Sequence, residues 1–369
     1  MNNKASRIQE TYDALHAMPE VGFEEVKTAA WLAEKIKAAG FAVTTGVGGT
    51  GIVAVLKGKE AGPVVAVRAD MDALAHVVDG KEVCVHSCGH DAHCTMVLTA
   101  AEELAAVGIT HGTLKILFQP AEEKLFGATR MIEAGALDDV DVVLGIHLRP
   151  IQEAKTGQAT PALYHGSSYI MEATISGQTA HGARPHLGVN AIDAAAAAIN
   201  AVNAIHINPV IPSTCKVTRL QAGGATLNQI PDRAEMALDL RAQQNDAMKT
   251  LLVKAENAIK AGAATVGATA TTVVKGGVPA AEYHPEIIEL ARQAIRAVLG
   301  EAGLLEPIVT PGGEDFHNFV QAKPALKAGY IGLGCDLTPG LHDPSMKFDR
   351  SAMIYGVEIL EHMVGKLLR

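Results

Sequence analysis

The sequence predicts an α/β protein whose core surrounds a central, mostly parallel sheet and whose middle contains an inserted α+β domain. Strand and helix patterns alternate along most of the 369 residues, which is typical of parallel β-α-β units. Cysteine, histidine and acidic residues follow several predicted strands, and open α/β sheets gather functional side chains at the carboxyl ends of their strands. Near residue 166 the strands alternate more strictly between apolar and polar residues, which indicates the second domain.

The core elements are predicted from apolar periodicity and from the glycines that separate them. In chain order they are a helix system over 8–40, strands at 41–45, 51–56 and 64–72, a helix from about residue 92, and strands at 114–118 and 142–146. The last two strands are expected to deliver Glu122, Glu123 and His147 at their carboxyl ends.

The inserted segment has the element order β-α-β-β-α-β, with alanine-rich helices at 189–205 and 245–264. This order is that of the split ferredoxin-like unit. Helix, strand and helix patterns then return at 285–299, 329–333 and 351–367. We therefore predict a catalytic domain in two parts, 1–166 and 277–369, interrupted by a domain at 167–276.

Composition restricts the partners and the compartment. The net charge of −9 and the pI near 5.9 argue against nucleic acid or an anionic membrane as a partner. The most apolar later stretch, 191–205, is interrupted by Asp193, Asn200 and Asn203, and the N-terminus has no apolar secretory leader. Five cysteines, an odd number, fit a reducing compartment. We expect a cytoplasmic protein.

The stretch from His86 to His93, with Glu122-Glu123 and His147 downstream, has the composition of a dinuclear metal site. A thiolate, imidazoles and a carboxylate are ligands for zinc and similar divalent ions, and a second carboxylate is the proton shuttle that metal-assisted hydrolysis needs. A structural zinc site is the alternative, because Cys84, Cys88, His90, His93 and Cys94 are close in sequence. It is disfavoured because no second Cys/His pair follows nearby.

Seven groups of residues, in chain order and over nearly the whole chain, carry a family resemblance. They are Arg68-Ala-Asp-Met-Asp-Ala-Leu74, His86-Ser-Cys-Gly-His-Asp-Ala-His93, Gln119-Pro-Ala-Glu-Glu123, Gly145-Ile-His147, Ala180-His-Gly-Ala-Arg-Pro-His186, Asn228-Gln-Ile-Pro-Asp232, and Gly313-Glu-Asp-Phe316 with Gly340-Leu-His342. The chain resembles the amidohydrolases of the zinc-peptidase-like enzymes, a group that includes hippurate hydrolases, auxin-conjugate hydrolases and N-acyl-amino-acid aminoacylases. Within the group it is most similar to a Bacillus-type branch.

The resemblance implies a zinc-peptidase-like core with an inserted lid and dimerisation domain, and two divalent metal ions per subunit, zinc, manganese or cobalt. It implies Glu122 as general base and His181 as the group that stabilises the oxyanion, often from the opposite subunit of a dimer. Asn228 and Arg241 would hold the substrate carboxylate. The implied metal ligands are Cys88 in the bridging position, His90, Glu123, His147 and His342.

The implied activity is hydrolysis of the amide bond of N-acyl amino acids by a metal-activated water in a homodimeric enzyme. A metallo-dipeptidase or aminopeptidase would need an acidic group for the free α-ammonium, and the sequence offers no obvious candidate. A regulatory metal-binding protein that has lost catalysis is disfavoured because the proposed base and ligands are all present.

Several neighbouring residues remain open between two interpretations. Asp72 and Asp91 either orient ligands or are strand-end and helix-cap acids. Arg241 also fits a surface salt bridge, and His342 a surface loop. We expect His93 to be a structural hydrogen bonder. Cys84 and Cys94 are expected to be packing residues.

Overall fold

The computed structural model of the protein describes residues 3–369. Met1 and Asn2, which enter the expectation that the chain has no secretory leader, lie outside the described residues. Two compact units are present, one formed by Met1–Tyr164, Glu282–Val309 and Asp315–Arg369, and the other by His165–Ala281 and Thr310–Glu314. Within residues 3–369, no helix is both long and apolar enough to cross a lipid bilayer.

Helices and strands alternate through the described residues much as the sequence predicts. The α-helices are α1 (Asn3–His16), α2 (Val26–Ala38), α3 (His90–Val107), α4 (Gly127–Glu133), α5 (Ala191–Asn203), α6 (Asn245–Ala264), α7 (Pro285–Leu299), α8 (His317–Ala322) and α9 (Met353–Leu368). The strands are β1 (Ala42–Val47), β2 (Gly51–Lys57), β3 (Glu60–Asp70), β4 (Leu74–Val78), β5 (Lys81–Val85), β6 (His111–Gln119), β7 (Val142–Pro150), β8 (Ala159–Thr160), β9 (Leu163–His165), β10 (Ser167–Ser176), β11 (Ala180–His181), β12 (Ser213–Ala222), β13 (Gln229–Ile230), β14 (Arg233–Ala242), β15 (Thr269–Val278), β16 (Ile308–Thr310) and β17 (Lys327–Leu337).

The first unit contains a seven-stranded sheet in the order β1-β2-β6-β3-β7-β17-β8. Its middle strands β6, β3, β7 and β17 pair in parallel, whereas β1–β2, β2–β6 and β8–β17 pair antiparallel. The predicted mostly parallel sheet is therefore a mixed sheet whose parallel pairing is confined to the centre. A short turn joins β1 to β2, and only an antiparallel pair can be closed by so short a connection.

Helices cover both faces of this sheet, so its parallel strands are buried. On one face α3 packs against α1, α9 and β3, and a single apolar cluster joins these helices with α2 and α7. On the other face α4 packs against α8 around a smaller cluster that includes Met131 and Phe319. The carboxyl ends of the central strands are consequently held in fixed positions.

The second unit is a four-stranded antiparallel sheet in the order β12-β14-β10-β15. Helices α5 and α6 pack against each other and against this sheet around their own apolar cluster. The chain order β10, α5, β12, β14, α6, β15 is the β-α-β-β-α-β order of the split ferredoxin-like unit.

Residues 310–314 group with this unit although the sequence analysis assigned them to the catalytic domain. The main-chain N–H of Gly166 donates to the carbonyl oxygens of Thr310 and Gly312, which holds this late segment beside the start of β10. The function of the unit as lid and dimerisation domain stays a prediction.

Candidate metal centre

The candidate metal ligands lie on loops and strands at the carboxyl side of the central sheet. Cys88 lies in the loop that precedes α3, and His90 is the first residue of that helix. Glu123 lies in the turn between β6 and α4, His147 in β7, and His342 in the loop between β17 and α9. Parallel strands end at the same edge, so residues distant in sequence converge there.

Two unusual backbone positions shape the loops. Gly89 has φ of 90°, a left-handed conformation that glycine adopts without strain, and it separates Cys88 from the helix start at His90. Ala121 has φ of 51°, which is uncommon for a residue with a Cβ. Its N–H donates to Oε1 of the buried Glu25 at 2.8 Å, which holds the turn that carries Glu122 and Glu123.

The five expected ligands come together in the first unit. Cys88 forms one group with His90 and His147 and a second group with Glu123 and His342, and the ligand atoms within each group lie within 4.8 Å of one another. Sγ of Cys88 lies 3.6 Å from Nε2 of His147. Oε1 of Glu123 lies 3.4 Å from Nε2 of His342 and 3.7 Å from Nε2 of His90. Cys88 is thus common to two adjacent groups of donors.

The donor set fits a pair of divalent cations. Nε2 of His90 and Oε1 of Glu123 are buried, and neither has a hydrogen-bond partner among the described residues. Buried polar atoms in proteins are usually satisfied, so two such atoms facing each other fit a shared contact with a cation. Sulfur, imidazole nitrogen and carboxylate oxygen are donors suited to zinc and to related divalent ions.

Burial and charge perturb the protonation of these groups. Burial raises the pKa of the Cys88 thiol, and the nearby Glu123 raises it further. Burial also lowers the pKa of His147 well below its usual range. The proximity of Cys88 and Glu123 raises the pKa of His342 to about 10. A bound divalent cation would instead lower the pKa of the Cys88 thiol, because coordination favours the thiolate.

Contacts decide between the interpretations left open for the neighbouring acids. Oδ1 of Asp72 lies 3.0 Å from Nδ1 of His90, so Asp72 orients this imidazole. Asp91 instead contacts Nδ1 of His16 at 2.6 Å and accepts the N–H of Ala92, so it is an acid of the first turn of α3. His93 is the expected structural hydrogen bonder, since its Nδ1 lies 2.7 Å from Oδ1 of Asp70.

One predicted position needs correction. His147 was expected at the end of a strand, but β7 continues beyond it to Pro150. The reason is that β17 runs alongside, with His147 opposite Gly332 and Arg149 opposite Gly334, so the ladder of hydrogen bonds does not stop at the histidine. The imidazole therefore belongs to a rigid strand.

The sequence analysis missed a buried polar network behind the ligands. Arg68 donates to Asp70 at 2.6 Å, to Gln119 at 2.9 Å and to Asp315 at 2.9 Å. Although burial opposes ionisation, Arg68 holds the pKa of the Asp70 carboxyl well below its usual range. A charged residue at the end of the apolar run 64–67 is a signal that could have identified Arg68, because buried charges are normally paired.

Three expected site residues belong to the second unit. His181 and Asn228 are both exposed, and the N–H of Gly182 donates to the carbonyl oxygen of Asn228 at 2.7 Å, which places the two residues close together. Nε of Arg241 donates to Asp239 at 3.0 Å, and the arginine side chain is 45% exposed. Arg241 therefore forms a surface salt bridge, and its role toward substrate stays a prediction.

Comparisons with known proteins show the family of this chain. A model of Peptidase family M20/M25/M40 matches residues 66–366. The chain is 32% identical to the hippurate hydrolase of Campylobacter jejuni over 369 residues, which covers 95% of this chain and 94% of that protein. It is 30% identical to the N-acetylcysteine deacetylase of Bacillus subtilis over 358 residues, with 92% and 91% of the two chains covered.

A solved structure gives the same result for the fold. A dinuclear metal-binding peptidase of the M20 family from Bacillus subtilis superimposes with a TM-score of 0.82 at 27% identity, covering 99% of this chain and 98% of that one. The chain belongs to Peptidase family M20/M25/M40. The expected fold and the expected class, a metal-dependent hydrolase of amide bonds, are thereby confirmed.

Proposed function

We propose that this hydrolase cleaves the amide bond of N-acyl amino acids, with Glu122 as the general base. The observation that carries the proposal is the position of two adjacent carboxylates. Oε1 of Glu123 lies 3.4 Å from Nε2 of His342 and 3.7 Å from Nε2 of His90, so Glu123 faces donors of both groups, whereas Oε2 of Glu122 lies 3.9 Å from Nε2 of His90. One carboxylate can hold metal while its neighbour remains available for proton transfer.

Two divalent ions would be held by the ligand cluster, with Cys88 common to both. When bound, zinc, manganese or cobalt ions supply acidification of water and polarisation of the acyl oxygen. The side chain of His342 is 55% exposed, so the cluster opens to solvent on that side. The ligands in this proposal are Cys88, His90, Glu123, His147 and His342.

The protein side chains would then carry the proton and hold the substrate. Glu122 takes a proton from the attacking water and returns it to the nitrogen of the departing amino acid. His181 donates to the oxyanion, and Asn228 and Arg241 bind the α-carboxylate, for which the planar guanidinium is suited. The relatives named for hydrolysis of hippurate and of N-acetylcysteine support N-acyl amino acids as the substrate class.

We further propose a cytoplasmic homodimer that pairs through the second unit. Strand β12 lies at an edge of the four-stranded sheet, and Leu220 on it is exposed. An edge strand offers unpaired N–H and C=O groups to a second copy of the chain. The cytoplasm is supported by the cysteines, since all five are free of disulfide bonds in the described residues.

The experiment combines metal analysis of purified protein with an activity screen. The substrates are acetyl, benzoyl, long-chain acyl and indole-acetyl amino acids, together with unmodified dipeptides. Glu122→Gln serves as the control, because it removes the proposed base and keeps a side chain of the same size. Hydrolysis of acylated substrates by the metal-loaded parent alone supports the proposal.

Other outcomes contradict it. Cleavage restricted to dipeptides with a free amino group would replace the proposal by a metallo-dipeptidase or aminopeptidase. Full metal loading without hydrolysis of any substrate would point to a regulatory metal-binding protein.

A further inference from the structure

The main chain of Asp315 contacts the proposed general base. Its N–H donates to Oε1 of Glu122 at 3.4 Å, and this contact is buried. Hydrogen bonds are directional, and the donor here belongs to the main chain. The N–H of Asp315 therefore restricts how the Glu122 carboxylate can be oriented.

The side chain of Asp315 is itself held by at least three donors from different elements. Nη2 of Arg68 donates to Oδ1 at 2.9 Å, and Nε2 of Gln119 donates to the same oxygen at 2.7 Å. The main-chain N–H of Ala128, in the first turn of α4, donates to Oδ2 at 2.9 Å. Arg68 and Asp315 are 1% and 0% exposed, so water does not compete for these bonds. These hydrogen bonds hold the Asp315 carboxylate in place, and with it the main-chain N–H of Asp315.

Arg68 also connects this group to α3, the helix that begins at His90. Its Nη1 donates to Oδ2 of Asp70 at 2.6 Å, and Oδ1 of Asp70 lies 2.7 Å from Nδ1 of His93. Replacing buried ion pairs by apolar residues is often neutral or stabilising, so such a network is poor evidence for a role in stability alone. Its position between α3 and Glu122 indicates a role in geometry.

We infer that Asp315 is a positioning residue for Glu122, acting through its main-chain N–H while its carboxylate is anchored by Arg68, Gln119 and α4. The inference rests on the proposed function, in which Glu122 is the base. Asp315→Asn retains one acceptor oxygen for three donors and removes the negative charge that Arg68 faces. The backbone at 315 then loses its anchor, and the Glu122 carboxylate loses its fixed orientation.

The expected result for Asp315→Asn is a kcat lowered about 10–100-fold, which is typical when a residue that orients a reacting group is lost. KM and metal content should stay close to those of the parent, because Asp315 belongs to neither proposed binding set. Asp91→Asn is the matched control, since Asp91 is also fully buried and hydrogen-bonded but contacts His16. Its kcat should change much less.

A double-mutant cycle with Glu122→Gln distinguishes positioning from a general structural effect. If Asp315 acts through Glu122, Asp315→Asn lowers kcat in the parent but adds nothing in the Glu122→Gln background. Equal losses in both backgrounds, loss of metal, or an unchanged kcat in the parent would each overturn the inference. If Glu122→Gln itself were as active as the parent, the proposed base would be wrong instead.

If Asp315→Asn does not fold, Gln119→Met takes its place in the double-mutant cycle with Glu122→Gln. It removes the donor at 2.7 Å from Oδ1 of Asp315, together with the oxygen that accepts from Nε of Arg68, and it preserves side-chain volume and the Arg68–Asp315 pair. A smaller loss of kcat, again absent in the Glu122→Gln background, is the expected result. If Gln119→Met lowered kcat by the same factor in the parent and in the Glu122→Gln background, the inference would also be overturned.

Discussion

His90 and Asp72 form a pair at the edge of the ligand cluster, with Nδ1 of the imidazole 3.0 Å from Oδ1 of the carboxylate. The other oxygen of Asp72 accepts the main-chain N–H of Glu123 at 3.0 Å. One buried carboxylate therefore contacts two proposed ligands, the ring of one and the backbone of the other. Such contacts fix the tautomer and the direction of the metal-binding nitrogen.

The first prediction concerns this pair. Asp72→Asn should weaken metal binding about 10–100-fold, because the amide neither attracts the imidazole N–H as a carboxylate does nor preserves both contacts. Competition with a fluorescent chelator measures the change. Asp91→Asn is the control, since that carboxylate contacts His16 and Ala92. Equal metal affinities of the Asp72 variant and the parent would contradict the orienting role.

The second prediction separates the adjacent carboxylates. Glu122→Gln should retain metal and lose about 10²–10⁴-fold in kcat, which is the usual contribution of a general base. Glu123→Ala should lose metal as well as activity, because Glu123 lies within the ligand cluster. Metal content and turnover are measured on the same preparations. An active Glu122→Gln beside an inactive, metal-replete Glu123→Gln would exchange the two roles.

The third prediction uses the thiol chemistry of Cys88. A thiol-alkylating reagent should modify Cys88 faster in metal-stripped protein than in metal-loaded protein, because coordination shields the sulfur. Mass spectrometry of the peptides resolves each cysteine. Cys84, which is partly exposed and lies outside the ligand groups, is an internal reference. Cys88 would leave the proposed ligand set if its modification did not depend on metal and Cys88→Ala retained full metal content.

The fourth prediction tests the proposed dimer and the role of His181. If each site uses His181 of the partner subunit, the inactive variants Glu122→Ala and His181→Ala should complement each other after mixed refolding. Random pairing makes about half of the dimers mixed, each with one intact site of two, so roughly a quarter of the parent activity should return.

Each variant refolded alone is the control and should stay nearly inactive. Confirmed heterodimers without recovered activity would mean that His181 does not act across subunits. A protein that is monomeric in solution would rule out a shared site.

The fifth prediction concerns acid stability and His317. Burial, assisted by Arg68, lowers the pKa of His317 from 6.5 to about 3. Between pH 6.5 and 3 the unfolded chain binds a proton at His317 and the folded protein does not. The contribution of the neutral, buried His317 to the free energy of unfolding is therefore fully present above pH 6.5 and is lost as the pH falls toward 3. Within this window the free energy of unfolding falls by up to about 1.4 kcal/mol per pH unit.

Urea unfolding of the parent and of His317→Asn at several pH values measures the effect. The variant cannot take up this proton, so its free energy of unfolding should fall less steeply between pH 6.5 and 3. Both proteins contain the same ligand cluster, so the difference between them isolates His317. If the free energies of unfolding of the two proteins fell equally with pH, His317 would not keep its lowered pKa in the folded protein.

Much of the fold follows from local sequence patterns. Apolar periodicity predicted α3, α5, α6, α7 and α9 and the central strands, because these elements bury one side or all of their surface. The sequence did not reveal α8, a six-residue helix too short to show a period. It also overstated the parallel character of the sheet, since strand direction depends on the path of the connections.

The residue types of the site were also evident in the sequence. Cys88, His90, Glu122 and Glu123 belong to short polar segments between apolar elements, and such segments are poor core material. The identity of these residues, with family membership, determined the class of chemistry. His342 could be assigned only by resemblance, because one histidine in a loop has no local signature.

What the sequence by itself determined is therefore the set of elements, the donor types and the reaction class. The tertiary structure alone decided which acids contact the proposed ligands: Asp72 contacts His90, while Asp91, one residue after His90, contacts His16. It also brought Arg68 and Asp315 together across 247 positions of sequence. The physical reason is that hydrogen bonds and ion pairs depend on distances of about 3 Å between atoms, and only the packing of strands and helices around the core sets such distances between remote residues.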